Sequence, residues 1–258
     1  MKEHETYKGY KIEIKQDQYA ENPFEAWDFE PPLIAFYGGR HSEASYYQDA
    51  PESWWDILRM LPPAFFNRKN RMAFLREFIL PLGLSLRDFA EERQRIGEVD
   101  AIATLLGEYL GEKPQGWRAA SEWLEMAESL LKWGGIECLN TQSNGYSQGD
   151  STLLLVIASP KWLEQTGIKA EHVAESLQAS ADLYGAWVWG DVYGISAIYA
   201  PNEEDEDAQG EKISEGSCWG FYGRDHEKSG LMEHARSAID WHLENKAQTA
   251  LNEPACLI

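Results

Sequence analysis

The chain has 258 residues, 43% of them hydrophobic and 12% aromatic, and a formal charge of −20. That length suits one large domain or two modest ones, and that apolar content builds a substantial core, so disorder is excluded as the default state. The excess of 43 acids over 23 bases repels DNA phosphates and anionic membranes, and it favours basic partners, of which nucleic-acid-binding proteins are the commonest in a cell.

Cys138, Cys218 and Cys256 are the three cysteines, an odd number with no CxxC or Cys/His metal spacing. A reduced, cytoplasmic setting is therefore expected rather than a disulfide scaffold. Met1 to Glu5 leads into polar sequence, so no signal peptide is expected, and no apolar run approaches the ~20 residues of a membrane-spanning helix.

Residues 8–15 alternate Tyr10, Ile12 and Ile14 with Lys11, Glu13 and Lys15, as a half-buried strand does. An acidic, proline-bearing loop, 16–32, leads to a second short strand at 33–38. Residues 51–133 read as helical. Trp54, Trp55, Ile57, Leu58 and Leu61 suit a helix ended by Pro62-Pro63. Met72, Leu75, Phe78 and Ile79 make a second stripe stopped at Pro81. Ser85 caps a third helix, with Asp88 placed to answer it. A fourth stripe, Ile102 to Leu110, closes at Gly111. A fifth, Trp117 to Leu131, closes at Gly134-Gly135.

Strands are expected again at 136–141 and 152–159. The second is nearly all apolar (Leu-Leu-Leu-Val-Ile-Ala), as in a central strand covered on both faces. A short helix after Pro160 and a longer one over 169–188 follow. Strands at 192–200 and 213–222 are expected to pair across the intervening loop, and an amphipathic helix over 229–246 ends the pattern. The predicted fold class is α+β, a mixed or antiparallel sheet of about six strands with packed helices. Residues 1–50 and 134–258 would form the α+β body, and 51–133 a helical insertion or subdomain.

Few side chains point to chemistry. Tyr146, Ser147, Gln148 and Asp150 lie between Gly145 and the following strand, with Gly149 among them. They supply a hydroxyl, an amide and a carboxylate, which make either a small ligand site or a structured turn. No base for Ser147 is identifiable, so no serine nucleophile follows. Asp191, after Gly190, suits a helix-to-strand junction, and Trp219 sits in the Ser217-to-Gly223 segment. Tyr146, Ser147, Asp150, Asp191 and Trp219 are the candidate ligand site. Glu137 joins Asp150 and Asp191 as a weak metal group; metal and cofactor are otherwise not expected. Cys218 reads as a buried structural thiol, with His226 beyond its strand, and His234 and His242 lack the i,i+4 spacing of a helical metal pair.

Charge supplies the other candidate site. Glu203, Glu204, Asp205, Glu206 and Asp207 form a run of acids in a hairpin loop, either a solvated tip or a phosphate-like row offered to a basic groove. Arg68, Lys69, Arg71, Arg76, Arg87, Arg93 and Arg95 make the opposite concentration in the helical block. They form either a basic face or a set of salt bridges, and the overall charge opposes direct nucleic-acid binding. P-loop, Rossmann, HExxH, nucleophile-elbow and kinase signatures are absent, which shifts weight away from a standard enzyme.

Three glycine-bearing segments stand out: Gly145-Tyr146-Ser147-Gln148-Gly149-Asp150, Gly190-Asp191-Val192-Tyr193-Gly194 and Ser217-Cys218-Trp219-Gly220-Phe221-Tyr222-Gly223. With the opening Tyr7-Lys8-Gly9-Tyr10-Lys11-Ile12-Glu13-Ile14, they resemble the pattern of a family of uncharacterised phage and mobile-element proteins, over roughly residues 7–40 and 140–243. The resemblance implies work in a host cytoplasm and no particular reaction. The expected function is an acidic interaction protein that binds and inhibits a host nucleic-acid-acting defence component, in its sharpest form by mimicking DNA. No membrane association is expected. The alternative is a hydrolase or small-ligand-binding accessory protein built on the glycine-rich segments.

Overall fold

A computed structural model describes residues 2–25, 32–38, 51, 53–111, 117–144, 151–201, 209–213 and 217–252. The fold is α+β, with eight strands among the described residues in two antiparallel sheets rather than the single sheet of about six that was expected. The chain divides into two compact units, residues 1–27 with 186–258, and residues 28–185.

The first unit begins with a hairpin that the apolar pattern half concealed. Strand β1 (Lys2–Tyr7) pairs with β2 (Tyr10–Gln16) through the two-residue turn Lys8-Gly9. Both turn residues have positive φ, 49° and 83°, the twist that tight hairpins require. β1 is polar up to Tyr7, so alternation alone gave it no signal. The Lys8 ammonium donates to Asp240 at 2.8 Å.

Next to β2 lies β6 (Val192–Pro201). Along the far edge of β6 run β7 (Gln209–Lys212), in what was expected to be loop, and β8 (Cys218–Tyr222), shorter than the strand expected over 213–222. Helix α8 is the long final one, Leu231–Asn252 (α1 to α7 lie earlier in the chain). Its Leu231, Met232, Ala235 and Ile239 cover Tyr10, Ile12, Ile14, Ile195, Ile198 and Ile213. The alternation seen in residues 10–14 is thus the pattern of the face that meets α8.

The second unit holds β3 (Leu33–Gly38), β4 (Cys138–Asn144) and β5 (Ser151–Ile157), with β5 in the middle. Leu153, Leu155 and Ile157 share a core with the helices, and Leu154 and Val156, which alternate to the opposite face, are also fully buried. This is the two-sided cover that the apolar run predicted.

The helices form where the stripes and caps lie. Ser53 and Asp56 make a reciprocal capping box at α1 (Trp54–Met60), which stops at Leu61 before the two prolines. α2 (Arg68–Phe74) passes into a π-helical turn, Leu75–Ile79, and a short 3-10 turn closed by Gly83. Ser85 caps α3 (Leu86–Ile96), accepting the Asp88 N–H at 3.0 Å. α4 (Glu98–Leu110) and α5 (Trp117–Trp133) follow. Trp54 packs on Trp123 with ring centres 4.6 Å apart, and its indole N–H donates to the Gly111 carbonyl at 3.0 Å. Phe65, Phe74, Phe78 and Trp133 form a second aromatic cluster. After β5 come α6 (Pro160–Thr166), capped by Ser159, and α7 (Val173–Val188).

The observed units divide the chain differently from the expected partition at 50/51 and 133/134. The 51–133 block shares its core with Cys138, Leu153, Leu155 and Ile157. Its amphipathic helices leave apolar faces that one side of the β3-β5-β4 sheet covers, so helices and sheet make one unit. The N-terminal hairpin instead takes its partners from the C-terminal third. No helix among the described residues is long and apolar enough to cross a membrane.

Candidate functional site

Two of the three glycine segments meet at one end of the first unit. α7 ends in a Schellman motif: the Gly190 N–H donates to the Trp187 carbonyl at 2.9 Å, and the Asp191 N–H to that of Ala186 at 2.7 Å. Gly190 takes the left-handed φ of 67° that the motif demands, and Gln16 Nε2 donates to its carbonyl at 2.7 Å. The Asp191 carbonyl then accepts the Gly223 N–H at 2.7 Å. Its carboxylate accepts Arg224 Nε at 2.6 Å, with the Asp191 side chain 9% exposed and that of Arg224 43% exposed. Asp191 therefore ties the end of α7 to the chain beyond β8.

Gly194 and Trp219 make the second junction. Tyr193 pairs with Phe221 and Ile195 with Cys218, so Trp219 and Gly220 both stand opposite Gly194 in a bulge. Gly220 supplies the bulge with a φ of 85°. The Trp219 indole lies across the backbone of Gly194. A Cβ on Gly194 would fall against ring atoms Cε3 and Cδ2, and 2.9 Å from the Cys218 carbonyl oxygen. The glycine of one segment is there because the tryptophan of the other needs its space.

The candidate residues fare unequally. Asp191 lies just before β6 and Trp219 on β8 opposite Gly194 of β6, each with the structural task just described. Tyr146, Ser147 and Asp150 lie outside the described residues, as do Glu203, Glu204, Asp205, Glu206 and Asp207. Among the described residues, no group of three or more His, Cys, Asp or Glu side chains is arranged to hold a metal ion. His226 packs edge-on against Tyr193, with ring centres 5.0 Å apart. His234 packs against Phe221 and His242 against Tyr10, so the two α8 histidines serve different neighbours.

The cysteine reading needs correction. Cys218, expected to be buried, is half-buried on β8, while Cys138 is buried and its thiol is pushed up to about 12 by that burial. β8 is an edge strand, and its bulge leaves the strand thinly covered. A thiol held that high carries almost no thiolate near pH 8, and the thiolate is the reactive form. In a Cys256→Ser variant, an alkylating reagent at pH 8 is expected to modify Cys218 and leave Cys138 untouched until the protein unfolds. Peptide mapping after timed quenching checks this; equal labelling of both would refute it.

In the helical block some of the bases are paired locally. Arg71 pairs with Glu98 at 2.8 Å, Arg87 with Glu91 at 2.9 Å and Arg95 with Glu92 at 2.6 Å. Arg59 lies 5.7 Å from the Trp55 ring centre. On α7 and the turn before it, Glu171, Glu175 and Asp182 are exposed and, among the described residues, pair with no lysine or arginine; His172 lies near the two glutamates. Sequence reasoning singled out the contiguous 203–207 run and missed this dispersed row. The helical spacing of residues 171, 175 and 182 was the available signal.

The chain matches no protein-family model, no curated protein and no solved structure.

Proposed function

We propose that this chain is an acidic interaction protein that binds the basic, nucleic-acid-handling surface of another protein. In the setting that the phage and mobile-element resemblance implies, the target is a host defence component, and binding inhibits it by occupying the place of DNA. The observation that carries the reading is unpaired acid on the surface of a strongly acidic chain. Among the described residues, Glu171, Glu175 and Asp182 are exposed without lysine or arginine partners, in a chain of net charge −20. Such a surface accelerates encounter with a basic groove and competes with phosphates for it.

The hydrolase or ligand-site alternative has less support, because the Asp191 carboxylate is engaged by Arg224. Immobilised full-length protein, exposed to host lysate at low salt, is expected to retain a basic nucleic-acid-binding protein that elutes as salt rises. Replacing Glu171, Glu175 and Asp182 by their amides should weaken retention. Retention of acidic proteins, or retention indifferent to salt, would contradict the reading.

A further inference from the structure

From the exposed face of α8 we infer that this helix carries the aromatic anchor of the partner interface, and that it fits an arginine-rich surface. The inference rests on the proposed function and names one surface for it. α8 is 22 residues long, and Leu231, Met232, Ala235 and Ile239 turn inward. At about 100° per residue, Glu233, Ser237, Trp241 and Glu244 fall within about 80° of arc on the outward side. Trp241 is 53% exposed, and neither a ring contact nor a hydrogen bond engages it. The exposed half of the indole is apolar area that the fold leaves in water.

The charges around it are sorted to leave the strip negative. Both bases of α8 are consumed: Arg236 is held by Glu227 in a two-pronged pair, and Lys246 by Glu211 at 3.0 Å. Asp240 is taken by Lys8 at 2.8 Å. Among the described residues, Glu233 and Glu244 have no ion-pair partner. What remains outward is a large aromatic face with a free carboxylate on either side of it along the helix, at rises of about 12 Å and about 4–5 Å. A guanidinium stacks on an indole face and at the same time donates a bidentate pair of hydrogen bonds to a carboxylate; an ammonium, a compact point charge, offers neither the flat stacking face nor the planar fork. Trp and Arg are also the residue types that most often dominate interface energetics. The occupant is therefore a protein surface presenting arginines.

The test uses the full chain, labelled with 15N at its indole nitrogens, and an octa-arginine peptide as probe, with octa-lysine alongside. The Trp241 indole resonance is assigned from Trp241→Phe. Octa-arginine is expected to move that resonance more than any other indole signal, and octa-lysine to move it less at equal concentration. Trp241→Ala should weaken octa-arginine binding about tenfold, and Glu233→Gln with Glu244→Gln severalfold, with unfolding curves unchanged because all three side chains are exposed. Binding that shifts other indole signals and leaves Trp241 still overturns the α8 inference alone. Failure of octa-arginine to bind anywhere at low salt overturns the proposed function and this inference with it.

Discussion

Gly194→Val is expected to lower the unfolding free energy by about 2–3 kcal/mol, the range of overpacking a tightly filled site. The cause is steric, since Gly194 has no left-handed φ to protect. The new side chain would meet the indole of Trp219 and the backbone carbonyl of Cys218. The indole can move aside because it is 46% exposed, but the carbonyl is fixed by the ladder between β6 and β8. Trp219→Ala in the same background should recover part of the loss, so the two substitutions couple in a double-mutant cycle. Urea unfolding of the four proteins measures this. A Gly194→Val protein within about 0.5 kcal/mol of wild type, or strictly additive effects, would show that the two segments do not depend on each other.

Asp191→Ala is expected to cost about 1–3 kcal/mol. The substitution removes a nearly buried carboxylate and leaves the Arg224 Nε–H without its acceptor. The loss stays below that of a fully buried pair, because Arg224 is 43% exposed and water can solvate it. Asp191→Asn keeps an oxygen for Arg224 and should cost less. Partner binding should survive both changes once the protein is folded. Binding that collapses in Asp191→Asn while the melting temperature holds or rises would instead make Asp191 part of a ligand site and promote the hydrolase or small-ligand alternative.

The parts of the fold legible in the sequence are those written in local periodicity. Tyr10, Ile12 and Ile14 announced their strand, the apolar run 153–157 its central position, and Pro62, Ser85, Gly111 and Gly134 the helix ends. β1 was illegible because it is held by ladder pairing with β2, which leaves no apolar pattern. The division into two units was illegible for a different reason. It depends on which sheet face each amphipathic helix covers, and periodicity shows only that a helix has an apolar face.

For the site, the glycine segments were visible, but their purpose was not. The need for Gly194 arises from Trp219, 25 positions later, and appears only when β6 and β8 are side by side. The charge reading fell on the contiguous acids 203–207. Glu171, Glu175 and Asp182 on the α7 side, and Glu233 and Glu244 on α8, are dispersed in sequence and gather only on helix faces.

The central claim is that this chain presses carboxylates into a surface that otherwise holds nucleic acid. Its most direct test takes the protein retained from host lysate and measures affinity across a range of salt, then repeats the measurement with duplex DNA as competitor. The account predicts that affinity falls steeply with salt, that DNA and this chain exclude each other, and that amides at Glu171, Glu175 and Asp182 flatten the salt dependence. A ternary complex with DNA, or an affinity that salt leaves unchanged, would contradict it.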